Sequence, residues 1–190
     1  MAKIKWKGGT LLSPVPAVLV SCSDGKKDNL ITVAWTGTLS SDPPRLYISV
    51  RKSRASYEII KRSGEFCVNL PNEKIVKALD YCGVKSGAER DKFADMKLTK
   101  QSSYEVSCPS VAECPLTLEC RVFEVIESGS HDIFMADIVA VSCDESLVDE
   151  KGRLMLEKAG LIAYAHGDYF ALGKRLGGFG FSVRKKRTKK

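Results

Sequence analysis

Several of the sequence patterns that would reveal a function directly are missing from this 190-residue chain. It has only two histidines, His131 and His166, and nothing in the sequence places a nucleophilic serine or cysteine and an orienting acid beside them, so we do not expect a hydrolase triad. Residues 173–175 (Gly-Lys-Arg) lack the Ser or Thr of a phosphate loop, and residues 178–180 lack the third glycine of a dinucleotide fingerprint. The common nucleotide-binding motifs are therefore absent.

Long hydrophobic runs and paired cysteines are missing as well. No apolar stretch approaches the roughly 18 residues of a membrane helix, and the first residues lack the hydrophobic segment of a signal peptide. We therefore expect a cytoplasmic protein that does not insert into a membrane.

The seven cysteines form an odd set without a Cys-x-x-Cys pair, which predicts neither a metal site nor a complete disulfide framework. Buried or inert thiols are the expected state of these cysteines.

The positive charge of the chain is concentrated at one end. The net charge is +7, and residues 184–190 supply six of these charges. Such a run predicts a basic, disordered tail, and because it has no aromatic residues for base stacking we expect no specific nucleic-acid binding. Ahead of the tail, the 44% hydrophobic content of the chain and the lack of a linker rich in Gly, Pro or Ser predict one domain over residues 1–183.

Turn-bounded hydrophobic runs predict a mostly β protein. Pro43 and Pro44 lack amide donors and should prevent the third strand from starting before Leu46. In the fifth predicted strand the hydrophobic alternation changes phase, which predicts a bulge or sharp bend near Val122. The predicted strands cover residues 17–22, 30–35, 46–50, 66–70, 116–126 and 131–142.

Two short helices are predicted between these strands. Ser53 is a candidate N-cap for a helix over 54–62 that stops at Gly64, and Asn72 is a candidate N-cap for a helix over 73–81. Hairpins, one of them with a predicted turn at residues 128–130 around Gly129, and short helices link the strands in place of regular crossover helices. This pattern favours a closed antiparallel barrel with peripheral helices over a parallel doubly wound sheet.

Cations and hydroxyls surround the start of the first predicted helix. Residues 51–54 and Ser56 lie where unpaired backbone amides and the positive end of the helix dipole favour an anion. This segment is a candidate phosphate site, although basic residues also solvate many helix ends.

Lys92 lies in a long polar loop over residues 85–101, with one helical turn predicted near 91–96. Long loops are frequently functional.

Four further residues have two interpretations each. Trp35 is either a core aromatic residue or the cover of a flat cofactor ring. Lys92 is either solvated or placed to neutralise an anionic ring system, and His131 is either a structural histidine or a functional one at the barrel rim. Asn69 supplies its amide to a ligand or caps the turn before Pro71.

Seven stretches of the sequence form an ordered set of motifs. They are residues 29–35, 42–51, 63–71, 80–83, 86–87, 113–120 and 129–134. With this set the chain resembles the flavin reductase-like family with the FMN-binding split barrel, and most closely its flavoredoxin members. The likeness covers about residues 5–182, and the ordered set is more specific than any single motif.

The resemblance implies an antiparallel Greek-key split β-barrel that holds FMN noncovalently near a homodimer interface. The residues implied near the isoalloxazine ring are Asn29, Thr32, Trp35, Lys92, His131 and Tyr164. Those implied for the phosphate are Arg51, Lys52, Ser53 and Ser56, and the rest of the site is implied at Asn69, Leu70, Cys82, Gly83 and Ser86. Thr36, Ser49 and Val50 complete the predicted cofactor-binding set. Lys92 and His131, the predicted catalytic residues, would stabilise negative charge at the N1 and O2 edge of the flavin.

Three functions are compatible with the sequence. The first is an oxidoreductase that takes electrons from NAD(P)H and passes them through FMN to a flavin or another acceptor. The second is a flavoredoxin-type electron-transfer protein that works with a redox protein partner and uses nicotinamide poorly, with the basic tail assisting docking to that partner. The third and most remote is a basic module in which the barrel presents the tail to nucleic acid, and it predicts a colourless protein.

Overall fold

The fold is mainly β, and every strand pairing among the described residues is antiparallel. A computed structural model describes residues 1–184, so that all but the first residue of the predicted basic tail lies outside the described residues. The main sheet has seven strands in the order β3-β2-β6-β9-β10-β5-β4. These strands are β2 (Val18–Ser23), β3 (Asp28–Val33), β4 (Thr36–Ser41), β5 (Pro44–Arg51), β6 (Glu65–Leu70), β9 (Leu116–Ser128) and β10 (His131–Cys143).

Two smaller sheets accompany the main one. The first has the order β1-β11-β12 and consists of β1 (Val15–Pro16), β11 (Ile162–Ala165) and β12 (Asp168–Ala171). The second is a short pair, β7 (Lys100–Gln101) with β8 (Ser110–Val111). None of these strands joins the two edges of the seven-stranded sheet.

The main sheet is a split barrel rather than the closed barrel that the strand pattern favoured. Its edge strands are β3 and β4, which follow one another in the chain but do not pair. At this opening the Trp35 carbonyl accepts a hydrogen bond from Ser49 N at 2.8 Å, so the segment between the two strands lies against β5. The split barrel implied by the resemblance is thus the architecture of the chain.

The β9–β10 hairpin confirms two predictions. Gly129 turns the chain with φ +58°, a conformation that favours glycine. Glu124 pairs with Met135 and Val122 with Ala136, so Phe123 is the extra residue of a bulge beside Val122. The bulge accounts for the change of phase in the sequence, because one inserted residue exchanges the two faces of a strand.

The start of the third predicted strand needs correction. The strand β5 begins at Pro44, and its partner β4 was not predicted. Both are compatible with the prolines, because β4 is an edge strand, Pro44 is the first residue of its own strand and Pro43 lies in the turn between them.

The first helix begins one residue later than predicted. In α1 (Ala55–Ser63) the N-cap is Arg54, without a side-chain hydrogen bond, so the prediction of Ser53 as the cap is wrong. The cause is a tight turn in which Arg54 N donates to Arg51 O at 3.0 Å, and this turn leaves Ser53 ahead of the cap position. Gly64 ends the helix with φ +70°, as predicted.

The two other helices lie on the opposite face of the sheet from α1. Asn72 accepts a hydrogen bond from Lys74 N at 3.0 Å and caps a short 3₁₀ turn that leads into α2 (Val76–Val84). The predicted helical turn is α3 (Lys92–Met96). Leu30 packs in the core cluster with α2 and α3, whereas the next residue, Ile31, packs in the cluster with α1. Among the described residues no helix is both long and apolar enough to cross a membrane.

Candidate functional site

Two adjoining cavities lie at the open edge of the barrel, where β3 and β5 end and β10 and α1 begin. The larger has a volume of about 670 Å³ and the smaller about 220 Å³. Ile31, Arg51 and Arg54 line both, so the two cavities meet. The strand register explains this arrangement, because Arg51 at the end of β5 pairs with His131 at the start of β10.

One wall of the larger cavity is an aromatic pair. The rings of Trp35 and His131 lie with centroids 4.5 Å apart and planes tilted by 54°. Trp35 is 41% exposed, so the interpretation of this residue as a core aromatic is wrong. Burial lowers the pKa of His131 below its ordinary value, and the nearby cations Arg51 and Arg54 lower it further. The lowered pKa favours a neutral imidazole at pH 7.

The opposite wall comes from the β11–β12 hairpin. Tyr164 and Tyr169 pair across these strands with ring centroids 5.4 Å apart, and His166 and Gly167 form the turn between them, both with positive φ. The Tyr169 hydroxyl donates to Asp80 Oδ1 at 3.3 Å, and burial is the largest cause that raises the pKa of this tyrosine to about 12.

The smaller cavity has three buried polar side chains at its base. Asn29 Nδ2 donates to Ser56 Oγ at 3.0 Å. Lys92 is only 4% exposed, and its Nζ donates to Leu30 O at 2.7 Å and to Cys82 O at 2.8 Å. An ammonium has three N–H donors, so one is left for a ligand. Burial lowers the pKa of Lys92 to about 8.

The mouth of the smaller cavity is cationic. Arg51, Ser53 and Arg54 are exposed there, together with Lys85 and Ser86 from the segment after α2. No carboxylate is among the described residues that line this cavity. The first two residues of α1, Ala55 and Ser56, also line this cavity, and the N-terminus of a helix presents unpaired N–H groups. The mouth therefore favours an anion.

A close approach of two chain segments closes one side of the smaller cavity. Gly87 lies against the side chain of Asn29, and a Cβ atom at this position would overlap the Asn29 amide. Lys27 Nζ donates to Gly87 O at 2.5 Å and fixes the segment. A glycine is required here for space, since no other residue lets the backbone come so near.

A buried carboxylate supports the turn that carries the cations. Asp132 Oδ2 accepts a hydrogen bond from the Tyr57 hydroxyl at 2.6 Å, and Lys52 Nζ lies 3.4 Å from Asp132 Oδ1. The Tyr57 hydrogen bond is the main reason that the pKa of Asp132 is lowered. Lys52 is thus directed to Asp132 and away from both cavities.

The structure brings most of the predicted site residues to the two cavities. The larger is lined by Thr32, Trp35, Ser49, Val50, Arg51, Gly83, His131 and Tyr164, and the smaller by Asn29, Arg51, Ser53, Ser56, Ser86 and Lys92. Asn29 and Lys92, implied for the ring, thus share a cavity with Ser53 and Ser56, implied for the phosphate. Five predicted residues line neither cavity, namely Thr36, Lys52, Asn69, Leu70 and Cys82.

Asn69 and Thr36 have structural partners instead. Both amide atoms of Asn69 are used in the core, where Nδ2 donates to Leu19 O at 3.0 Å and Oδ1 accepts from Val111 N at 2.9 Å. Thr36 Oγ1 donates to Tyr47 O at 2.5 Å. Cys82 contributes only its backbone carbonyl, which accepts from Lys92. The placement of these side chains gives no support to their predicted contact with a cofactor.

Several residues that line the cavities were not predicted. They include Arg54, Lys85 and Gly87, and in the larger cavity residues 10–13, Asp80, His166, Gly167 and Tyr169. Arg54 was noted among the cations of the helix start but was not assigned to the site. The His-Gly pair at positions 166 and 167 is a turn signal, but the sequence does not show that this turn folds back over the open edge of the barrel.

Comparisons with known proteins agree with this site and fold. Residues 11–173 match the model of the flavin reductase like domain family. The chain is similar to the flavoredoxin of Desulfovibrio vulgaris (Miyazaki F), at 31% sequence identity and a TM-score of 0.90 over 96% of this chain and 100% of that one. It is similar to the flavoredoxin from Methanosarcina acetivorans, at 29% identity and a TM-score of 0.88 over 97% and 100%.

One relative carries a name that specifies a reaction. The protein named FMN reductase (NADH) RutF from Bradyrhizobium diazoefficiens is 24% identical over 136 residues, which cover 70% of this chain and 73% of the relative. The family match covers most of the chain, and the two flavoredoxins share its fold along nearly their whole length. The chain belongs to the flavin reductase-like family of split-barrel, flavin-related oxidoreductases.

Proposed function

We propose that this chain binds FMN noncovalently and acts as an oxidoreductase that passes electrons from NAD(P)H to a flavin or another acceptor. The observation that carries the proposal is the junction of two unlike cavities, one with the Trp35–His131 aromatic wall and one with buried polar donors and a cationic mouth. FMN joins a flat ring system to a phosphate, and when bound it supplies hydride and single-electron chemistry.

The burial of the donors suggests which part of FMN each would hold. The side chains of Asn29, Ser56 and Lys92 are buried at the base of the smaller cavity. A neutral polar ring edge loses its water on entering such a site at a lower free-energy cost than a phosphate dianion does. Arg51 and Arg54 are exposed at the mouth, where a phosphate keeps part of its hydration. We therefore assign the first three residues to the polar edge of the flavin ring, and the two arginines with Ser53 to the phosphate.

This assignment changes two of the predicted roles. Ser56 moves from the phosphate set to the ring set, since its hydroxyl accepts from Asn29 inside the cavity. Lys52 leaves the phosphate set, since its ammonium is paired with Asp132. Lys92 keeps its predicted role, in which its remaining N–H donates to the ring edge and stabilises negative charge there.

The larger cavity would hold the ring face. Trp35, His131 and Tyr164 line it with aromatic surface that excludes water, and a neutral His131 is able to donate or accept a hydrogen bond at the ring edge. In this arrangement the chain binds and orients the cofactor and stabilises negative charge on its ring.

Two kinds of electron donor fit the relatives of this chain. The name of the Bradyrhizobium relative supports a nicotinamide donor, whereas the similarity to two flavoredoxins supports a redox protein. Anaerobic addition of NADH and NADPH to the FMN-bound protein separates the two. We expect the yellow absorbance to bleach with at least one of them; bleaching only by a reduced ferredoxin system would favour the electron-transfer alternative.

We also propose that the protein works as a homodimer in the cytoplasm, with residues 1–183 acting as one domain. Large apolar side chains near both ends of the described chain are exposed, including Ile4, Trp6, Leu12 and Phe179. Exposed apolar surface of this kind is typical of an interface. Sedimentation equilibrium should give twice the mass of one chain, and a single-chain mass at micromolar concentration would contradict the dimer.

The cofactor assignment is tested by comparing FMN with riboflavin, which lacks the phosphate. Arg54→Ala removes a charge-assisted hydrogen bond of about 1.5–3 kcal/mol, so it should weaken FMN about 10- to 150-fold and leave riboflavin nearly unchanged. Ser56→Ala removes a neutral hydrogen bond of about 0.5–1.5 kcal/mol and should weaken both ligands by the same factor. Both dissociation constants are measured by quenching of flavin fluorescence.

Lys52→Ala is the matched control, because it removes a positive charge from the same turn but not from the cavity. We expect this variant to keep the wild-type ratio of FMN to riboflavin affinity. A selective loss of FMN binding in Lys52→Ala would restore the phosphate set predicted from the sequence. If neither flavin binds to the wild-type protein, the proposed function is wrong.

A further inference from the structure

A pair of buried cysteines lies outside the proposed flavin site. Cys67 in the middle of β6 and Cys108 at the end of the loop between β7 and β8 have their Sγ atoms 3.5 Å apart. Both are nearly inaccessible, with exposures of 0% and 1%, and neither lines a cavity of the site. All seven cysteines lie in the described part of the chain, and in no other pair do the sulfurs come within hydrogen-bonding distance.

The loop that carries Cys108 is fixed by two carboxylates from the barrel. Glu119 is fully buried and accepts hydrogen bonds from Tyr104 N at 2.9 Å and from Glu105 N at 2.7 Å. Glu65 accepts from Ser107 N at 2.9 Å. These bonds do not involve either sulfur, so the proximity of the two thiols is set by a separate network and not by their own weak contact.

The residues around the pair leave a short path to solvent. Ser103 Oγ lies 3.4 Å from Cys67 Sγ and donates to Cys108 O at 2.6 Å. Ser103 is half-buried, and the next residue, Tyr104, is 77% exposed. A small oxidant therefore needs to displace only this part of the loop to reach the sulfurs.

We propose that Cys67 and Cys108 form a reversible disulfide, with hydrogen peroxide as the oxidant. First the Cys67 sulfur attacks one peroxide oxygen, the O–O bond breaks, and one water leaves as Cys67 becomes a sulfenic acid. The Cys108 sulfur then attacks the Cys67 sulfur, the S–O bond breaks, and a second water leaves as the S–S bond forms. In total two thiols and one peroxide give one disulfide and two waters.

The order of the two attacks follows from the environment of each thiol. The contact between the two sulfurs lowers the pKa of Cys67 and raises that of Cys108. Cys67 is also the sulfur that contacts the half-buried Ser103, so it lies on the path to solvent and reacts first, as the thiolate is the nucleophile. Bond formation needs the sulfurs to approach from 3.5 Å to about 2.05 Å, which is a small movement for a surface loop.

The test uses the full-length protein as purified, after reduction and removal of the reductant. Hydrogen peroxide is added in steps, the reaction is stopped with catalase, and free thiols are alkylated in denaturant and counted by intact mass. Cys143 is the one exposed cysteine and reports the dose of oxidant. We expect the loss of two further thiols per chain, a peptide in which Cys67 is linked to Cys108, and recovery of both thiols with dithiothreitol.

Two variants make the assignment specific. In Cys108→Ser, Cys67 should stop at the sulfenic acid, which dimedone traps, and no linked peptide should form. Cys114→Ser is the matched control, because Cys114 is also buried but no cysteine sulfur lies within hydrogen-bonding distance of it, and this variant should still form the link.

Three results would overturn the proposal: both thiols unchanged when Cys143 is fully oxidised, a link between other cysteines, or an unaltered thiol loss in Cys108→Ser. The measurement on the wild-type chain stands even if a variant fails to fold. It does not depend on the proposed function, because the thiols are counted equally well in flavin-free protein.

Discussion

The buried ammonium of Lys92 makes the affinity for flavin depend on pH in a predictable direction. Burial lowers the pKa of this lysine to about 8, so raising the pH from 7 to 9.5 removes its proton in the free protein. If the ammonium donates to the flavin ring, as we propose, only the protonated form binds tightly. Affinity should therefore be constant below pH 8 and decrease above it, until the higher pKa of the bound state is reached.

The size of the effect follows from the titration of one group. Each pH unit above 8 lowers the protonated fraction about tenfold, and at pH 9.5 only about 3% of the free protein still carries the ammonium. The dissociation constant should then be about 30-fold larger at pH 9.5 than at pH 7, provided that the bound lysine stays protonated. Riboflavin should show the same slope as FMN, since the interaction is with the ring.

Other titratable groups near Lys92 do not change charge in this range. Burial raises the pKa of Cys22 to about 12 and that of Cys82 to about 11, so both thiols stay neutral. The lowered pKa of His131 keeps the imidazole neutral, and a phosphate completes its second ionisation near pH 6. A slope between pH 7.5 and 9.5 thus reports Lys92.

The assay is a fluorescence titration of flavin-free protein at half-unit steps of pH. Lys92→Met retains the apolar stem without the charge, and its affinity should be low and independent of pH. Thermal melting confirms that the variant is folded at each pH. The reasoning is refuted if Lys92→Met shows the wild-type slope, or if the wild-type affinity is flat up to pH 9.5.

Three further substitutions test the support of the site. Trp35→Ala should raise the dissociation constant of both flavins about tenfold, because stacking of about 1–1.5 kcal/mol is lost. Tm should change little, because the Trp35 ring is half-exposed. An unchanged affinity in fluorescence titration would exclude contact between Trp35 and the flavin ring. Gly87→Ala should displace the Asn29 side chain and weaken the binding of both flavins equally, as measured by calorimetry. Unaltered binding would show that the Gly87 segment moves aside without displacing Asn29. Asp132→Asn should lower Tm at pH 7. Because folding lowers the pKa of Asp132, the difference from wild type should be constant well above pH 4, start to shrink as the pH falls through about 4, and disappear only below the lowered pKa of the folded state; a difference that does not shrink in acid would argue against a role for the charge.

Local signals in the sequence were sufficient for most of the fold. The turn at Gly129, the stop at Gly64 and the bulge beside Val122 depend on a few neighbouring residues, so they were readable without knowledge of the rest of the chain. Strand β4 was missed because its residues are mainly small and polar and none of them is fully buried, so this edge strand has no buried face to set a hydrophobic alternation.

The site was less readable because tertiary contacts decide it. Nothing in the sequence of the short helix α3 shows that Lys92 is buried against the carbonyls of Leu30 and Cys82. Lys52 and Arg54 are equivalent cations in the sequence, and only the position of Asp132 separates them. Asn69 lies in a matching motif, yet its amide is used within the core.

The larger cavity has a wall that does not belong to the barrel. Residues 10–13 line it, but they form neither helix nor strand, and β1 begins only at Val15. No ladder of backbone hydrogen bonds anchors this stretch, so it is displaced at lower cost than any strand of the sheet. We therefore expect the residence time of a bound molecule to depend on the movement of this peptide. A purification tag fused ahead of Met1 would alter the exchange rate of the ligand without touching a single strand.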